Sequence, residues 1–173
     1  MKRVTVLGTS GSGKTTVAVA LAQRLGVPHV ELDALNHGPN WTEASPDELR
    51  RRVEQAIAGH DGWVMDGGYE SKLGDLALER ADTVVWLDLP LRVTLRRLRR
   101  RTSVRIHGGV ELWGGNRESW RNALVGPRSL FAWAIRSHLR RRRTLPGRLA
   151  RHPHLAIVRL RSEAEVERWV KAQ

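Results

Sequence analysis

Residues 8–15 read Gly8-Thr9-Ser10-Gly11-Ser12-Gly13-Lys14-Thr15, a complete match to the phosphate-binding pattern G-x-x-x-x-G-K-[ST]. Each residue type has a physical use around a polyphosphate. Glycines let backbone N–H groups turn inward around phosphate oxygens, and a following helix adds the positive end of its dipole. Lys14 is placed to reach the β- and γ-phosphates, and the Thr15 hydroxyl to ligate Mg²⁺. The expected nucleotide contacts are Gly8, Ser10, Gly11, Ser12, Gly13, Lys14, Thr15 and Thr16, with ATP or another nucleoside triphosphate and Mg²⁺ as cofactors.

Two acids and a set of arginines could complete a site. Asp66 follows the apolar run Trp63-Val64-Met65 on the sheet edge that carries the glycine-rich loop. An acid there can hold the water shell of Mg²⁺ beside Thr15, or it can cap the turn at Gly67-Gly68. Asp33 ends a second apolar run at the same edge, as an acceptor contact or general base, or as a helix or turn cap. Arg105, Arg117 and Arg121 accompany Gly108-Gly109 and Gly114-Gly115. Arginines on a glycine-hinged flap can close over phosphates and neutralise charge in the transition state, which makes Arg117 and Arg121 catalytic candidates with Lys14 and Asp33. Their spacing of four puts Arg117 and Arg121 on one helical face if the segment is helical; otherwise these are exposed basic residues.

The elements that must position these residues follow from pattern. Arg3–Leu7, His29–Asp33, Trp63–Met65, Thr83–Leu87 and Leu155–Val158 read as strands, Thr83–Leu87 apolar on consecutive residues as a strand covered on both faces should be. Lys14–Leu25 carries Val17, Leu21 and Leu25 on one stripe and stops at Gly26, a helix signature. Ser45-Pro46 with Glu48 opens another helix that ends by Gly59, and Ser162 with Glu165 opens a last one through Trp169. Leu91–Thr102 is helical, residues 103–116 form a flexible Gly-rich excursion, and Arg117–Arg143 gives one or two helices broken near Gly126-Pro127. Strands alternating with helices imply an α/β fold, a doubly wound parallel sheet between two helical layers with ligands at the carboxyl ends of the strands.

At 173 residues the chain fits one domain, residues 1–173. It has no cysteine, so no disulfide or thiolate metal site carries the fold. The apolar run after Lys2-Arg3 stops at Gly8, too short for a signal segment, and no stretch is long enough for a membrane helix. The expectation is a soluble, cytoplasmic protein with no membrane partner. The net charge of +12 is concentrated: residues 91–151 hold 17 arginines and only Glu111 and Glu118 as acids. Arginine binds phosphate oxygens as a planar fork, which suits nucleotides and nucleic acids alike.

Taken together, the glycine-rich loop, Asp66-Gly67, the basic fourth helix and the flap resemble the P-loop nucleoside monophosphate kinase group, which includes adenylate, gluconate and shikimate kinases. Four blocks, Glu31–Leu35, Trp63–Gly67, Ala81–Asp88 and Asn116–Arg121, resemble the bacterial DNA topology modulation proteins, also called adenylate-kinase-like. The resemblance covers about residues 1–135. It implies a five-stranded sheet in the order 2-3-1-4-5, an acceptor-binding region near 34–60 and a lid near 103–121. Adenylate kinases follow Asp-Gly with Phe-Pro-Arg, whose arginine holds the acceptor phosphate; here Gly68-Tyr69-Glu70 follows. The glycine triplet of shikimate kinases at this turn is absent too.

Two functions fit these residues. One is a phosphotransferase moving the γ-phosphoryl of ATP onto a small-molecule or nucleotide acceptor, with Asp33, the Trp41 segment and the flap arginines around it. The other is a nucleic-acid-binding ATPase or regulator in which residues 91–151, with the run Arg140–Arg143, track a phosphate backbone.

Overall fold

Strand residues that are apolar at consecutive positions need apolar cover on both faces, and the chain supplies it. In the computed structural model, which describes residues 1–126 and 129–173, five parallel strands form one sheet. They are β1 (Arg3–Gly8), β2 (His29–Glu31), β3 (Trp63–Asp66), β4 (Thr83–Leu87) and β5 (Ala156–Leu160), in the order β2-β3-β1-β4-β5. Val4, Val6, Val64 and Val85 face one layer, built on α1 (Lys14–Leu25) and α9 (Glu163–Lys171). Leu7, Trp63, Met65, Val84 and Trp86 face the other, built on α3 (Pro46–Ile57), the short α4 (Glu70–Leu73) and α5 (Leu76–Arg80), and the end of α8 (Leu130–Leu149). Burying each large apolar side chain contributes roughly 1.5–3 kcal/mol. These two layers hold the arginine-rich helices to the sheet.

Local signals set most boundaries. Ser45 Oγ accepts from Glu48 N at 3.2 Å, with Pro46 at the first helical position. The Glu48 carboxylate pairs forward with Arg52 rather than back to the cap, so only half of the expected capping box forms. Gly26 ends α1 at φ 65°, in the left-handed region that glycine adopts at low cost. Ser162 Oγ accepts from Glu165 N at 3.1 Å and starts α9.

Other boundaries differ from the sequence reading. The second strand ends at Glu31, and Leu32–Asn36 forms α2, because Leu32 is drawn into the core beneath Gly67. Helix α6 (Leu91–His107) runs five residues past Thr102 into the expected flexible excursion. Beyond it Glu111 and Arg117 pair as an antiparallel bridge. Helix α7 begins only at Trp120 and ends at Leu124, since Ser119 caps it by accepting from Asn122 N. The break expected at Gly126-Pro127 falls partly outside the described residues; Gly126 itself has φ 88°. No helix among the described residues is long and apolar enough to cross a membrane.

Helix α6 is seated on the glycine-rich loop. A Cβ on Gly11 would collide with the Thr94 carbonyl and stand 2.9 Å from Leu98 Cβ, and Gly11 has φ 84°. Glycine is therefore required there twice over, by conformation and by contact. This packing brings the basic side of α6 over residues 8–15.

Candidate active site

The loop between β1 and α1 closes with Ser12 N donating to Thr9 O at 3.0 Å. Gly13 caps α1 at φ 92°. A Cβ on Gly8 would stand 2.5 Å from Ser12 Oγ, a buried hydroxyl with no protein hydrogen-bond partner. Lys14 Nζ donates to Thr9 O at 3.3 Å. Thr15 Oγ1 donates to Asp66 Oδ2 at 2.7 Å, and His29 Nε2 donates to Asp66 Oδ1 at 3.0 Å. Asp66 is only 3% exposed, at the carboxyl end of β3, beside β1 in the sheet.

Burial lowers the Lys14 ammonium to about 8; Asp33 and Asp66 oppose the shift, while Arg141 and Arg101 add to it. The sign for folding follows directly. Between about pH 8 and the unfolded value of 10.5, the unfolded chain holds a proton that the folded chain has lost. Lys14's contribution to stability therefore grows as pH rises through that window. An entering triphosphate reverses the shift, because its charge favours the ammonium. Nucleotide binding near pH 8.5 is expected to take up a proton, read by calorimetry in buffers of different ionisation enthalpy, with affinity falling as pH rises further. A binding enthalpy independent of the buffer would contradict this assignment.

A cavity of about 1460 Å³ opens over the loop. A small-ligand pocket usually measures roughly 300–1,000 Å³, so this one has room for two reactants. One wall is basic: Arg97, Arg101 and Arg105 come from α6, and Arg136, Arg140 and Arg141 from α8. Arg97 Nη1 donates to Ser12 O at 3.3 Å. Arg101 and Arg105 share Glu118, at 3.7 and 2.8 Å. Arg141 is 9% exposed; it donates to the Gly8 carbonyl and lies 3.6 Å from Glu70. The Nε atoms of Arg101 and Arg141 are buried without a protein hydrogen-bond partner. A Cβ on Gly68 would collide with Arg141 Nη2, which explains a second glycine after Asp66-Gly67.

The opposite wall is acidic and aromatic. Tyr69 Oη donates to Asp33 Oδ1 at 2.7 Å and lies 3.2 Å from His37 Nε2. Burial first, then the Asp33 charge, pushes the Tyr69 hydroxyl far above its usual value, so it stays a donor. Trp113 Nε1 donates to Glu31 Oε2 at 3.1 Å, and burial raises the Glu31 carboxyl. His37 stacks on Trp113 with centroids 5.7 Å apart and meets Trp41 edge-on at 5.6 Å. Asn116 ties the two flanking segments together: its Nδ2 donates to Gly38 O at 2.8 Å, and its Oδ1 accepts from Trp41 N at 2.8 Å.

The structure thus brings Thr15 and Asp66 into direct contact, with Gly8, Ser10, Gly11, Ser12, Gly13, Lys14, Thr15 and Thr16 lining one cavity and Asp66 buried behind Thr15. Asp33 lines it too, from the first turn of α2 rather than from a strand end. Arg117 and Arg121 are not brought in. Arg117 pairs with Glu111 at 2.7 Å, its side chain 63% exposed, while Arg121 is exposed on α7. With α7 starting at Trp120, the two share no helical face.

Sequence reasoning passed over Arg101, Tyr69, Glu31, Trp113 and above all Arg141 as site residues, placing Arg141 in a run that would track a phosphate backbone. A signal for Arg141 was present. The buried positions of α8 are Ala134, Ser137, His138, Arg141, Leu145 and Leu149, a helical stripe in which Arg141 occupies an inward place.

The profile of the AAA domain family matches residues 4–119. The shikimate kinase of Sulfurihydrogenibium sp. (strain YO3AOP1) is 32% identical over 112 residues, 57% of this chain and 68% of that kinase. The cytidylate kinase of Halobacterium salinarum (strain ATCC 29341 / DSM 671 / R1) is 34% identical over 114 residues, 57% of each chain. The chain thus spans little more than half to two thirds of the length of these relatives. A crystal structure of shikimate kinase from Bacteroides thetaiotaomicron superposes with a TM-score of 0.57 at 17% identity, covering 99% of this chain and 95% of that one, which shows a common fold. Since the family match starts in β1 and continues through α6, taking in the loop, Asp66 and the arginines of α6, the chain belongs to the AAA domain family and carries the fold of the P-loop nucleoside monophosphate kinase-like superfamily.

Proposed function

We propose that this protein is an ATP-dependent kinase that transfers the γ-phosphoryl group to a hydroxyl of a small acceptor. The observation that carries the reading is one cavity with a phosphate loop and arginines on one side and a tyrosine-held carboxylate, Asp33, on the other. Shikimate and cytidylate kinases among its relatives support the reaction class.

Backbone N–H groups of residues 10, 11 and 13–15 with the Lys14 ammonium bind the triphosphate, and Arg101 and Arg141, on the basic wall beside the loop, stabilise charge that develops on the moving phosphoryl. The Thr15 hydroxyl and the Asp66 carboxylate, 2.7 Å apart, are hard oxygen donors of the kind Mg²⁺ takes, so this pair fits the ion. Mg²⁺ bound there would offset charge on the β- and γ-phosphates. Asp33 accepts the acceptor hydroxyl's proton as the new O–P bond forms and the bond to the β-phosphate oxygen breaks, leaving ADP. Tyr69, donating to Oδ1, fixes the carboxylate and leaves Oδ2 for that proton. Residues 34–60 then form the acceptor-binding region. Residues 103–121 act as a lid whose tip rests on it, with Gly114 against the backbone of Gly38 and Pro39.

The comparisons lend the nucleic-acid alternative no support, and part of the arginine excess is tied internally. Arg96 and Arg97 hold Glu163, Arg142 and Arg159 hold Asp88, and Arg148 and Arg151 hold Asp75. Arg140, Arg141 and Arg148 gather around Glu70.

Asp33→Asn tests the reaction class. Phosphoryl transfer from labelled ATP into a mixture of nucleosides and polyols is expected to fall about 100-fold, while calorimetric ATP affinity stays near wild type. Transfer at the wild-type rate would remove Asp33 from the chemistry.

A further inference from the structure

The cavity is divided by charge, and the division bears on the acceptor. Every arginine lining it comes from α6 or α8. Among the described residues the one lysine or arginine on the other wall is Lys72, whose Nζ donates to Asn36 Oδ1 at 2.7 Å, Glu43 Oε2 at 2.6 Å and Ala44 O at 2.9 Å. An ammonium has three N–H bonds, so Lys72 has none left for a ligand. Glu31 and Asp33, by contrast, form no ion pair among the described residues; each accepts one hydrogen bond from a neutral donor, Trp113 Nε1 and Tyr69 Oη. Lys14 and Arg101, both of which feel the Asp33 charge, are assigned above to the triphosphate.

A phosphate or carboxylate on the acceptor would have to sit beside two carboxylates with no free lysine or arginine among the described residues to receive it, and like charges at close range are rejected. Hydroxyl or amine hydrogens, by contrast, can donate to the oxygens that Glu31 and Asp33 keep free. The rings of Trp41, edge-on to His37, and Trp113, stacked on it, offer flat apolar area for a base or for the C–H face of a sugar.

Resting on the kinase reading, we infer that the acceptor is an uncharged or amine-bearing polyhydroxy compound, a sugar or nucleoside, and not an acid or a phosphate ester, because the acceptor wall presents Glu31 and Asp33 with no free lysine or arginine among the described residues.

The test uses the full chain with γ-labelled ATP and Mg²⁺, and acceptors in matched pairs. Each nucleoside is set against its 5′-monophosphate, and each hexose or aminohexose against the corresponding hexuronic acid. The uncharged or amine-bearing member of a pair is expected to be phosphorylated with kcat/KM at least about 100-fold higher than its anionic partner. Pairs built on a base and pairs built on a sugar separate the two sources of the same chemistry. Glu31→Gln removes one charge and keeps the hydrogen bond to Trp113. It is expected to narrow the discrimination about tenfold, chiefly through KM for the anionic member, with ATP affinity unchanged. Preferred transfer to the anionic member, or discrimination unaltered in Glu31→Gln, overturns the inference and leaves the kinase reading standing. No transfer to any member, while ATP still binds in a Lys14-dependent way, overturns the kinase reading and this inference with it.

Discussion

Lys14→Ala is expected to lower kcat/KM by on the order of 10³ and to weaken triphosphate binding strongly, with little loss of stability. The ammonium sits under the phosphate loop with one hydrogen bond, to Thr9 O, and burial has already brought it down to about 8. A cation held in that state costs free energy in the empty protein and becomes favourable when polyphosphate arrives. Removing it therefore takes away the interaction that strengthens toward the transition state, and spares the fold. Thermal unfolding near neutral pH should give a Tm equal to wild type or slightly higher, since the desolvated charge is gone. Unchanged ATP affinity by calorimetry in the folded variant would refute the phosphate role.

The second large effect separates arginines that look alike in sequence. Arg141→Gln is expected to depress kcat by on the order of 10³, whereas Arg143→Gln leaves turnover at the wild-type level. Arg141 is buried against Gly8 O at the cavity floor, while Arg143, two residues on, is exposed on the far side of α8. The fold should survive the Arg141 change. Glu70 keeps Arg140 at 3.5 Å and Arg148 at 3.4 Å, so no carboxylate is orphaned, and the loss is about 1–3 kcal/mol for the hydrogen bond to Gly8 O. In the same assay Arg117→Ala and Arg121→Ala are expected to be nearly neutral, because an exposed ion pair such as Arg117 with Glu111 contributes little. Equal turnover in Arg141→Gln and Arg143→Gln would remove Arg141 from the site. A collapse in Arg117→Ala would show that the lid moves further than this structure implies.

These contrasts mark what a linear reading can reach. The glycine-rich loop was legible because its chemistry is local. Gly11 and Gly13 need positive φ, Lys14 and Thr15 follow at once, and all of it lies within eight residues. The central strands β1, β3 and β4 were legible because double-sided burial writes itself as runs of apolar residues, while the half-exposed edge strands β2 and β5 showed only as short β-rich runs. The ends of helices were legible where a cap is a short-range hydrogen bond, as at Ser45 and Ser162. Asp33 and Asp66 could be placed at the correct sheet edge because parallel strands all deliver their carboxyl ends to one side.

What the chain alone determined, then, is the sheet, its helical layers and the phosphate loop, since each depends on interactions within one element or on a period repeated along it. Tertiary structure decided which arginines reach the cavity. Arg141 and Arg143 differ only by about 200° of rotation around α8, and that angle acquires meaning once Leu145 and Leu149 dock on the sheet. Tertiary structure also decided the acceptor wall. Glu31, Asp33, Tyr69 and Trp113 come from three separate stretches of chain, and the hydrogen bonds between them span 36 and 82 residues. Pairings of that range are set by how α2, α4 and the α6–α7 excursion close over the sheet, and no spacing along the chain encodes them.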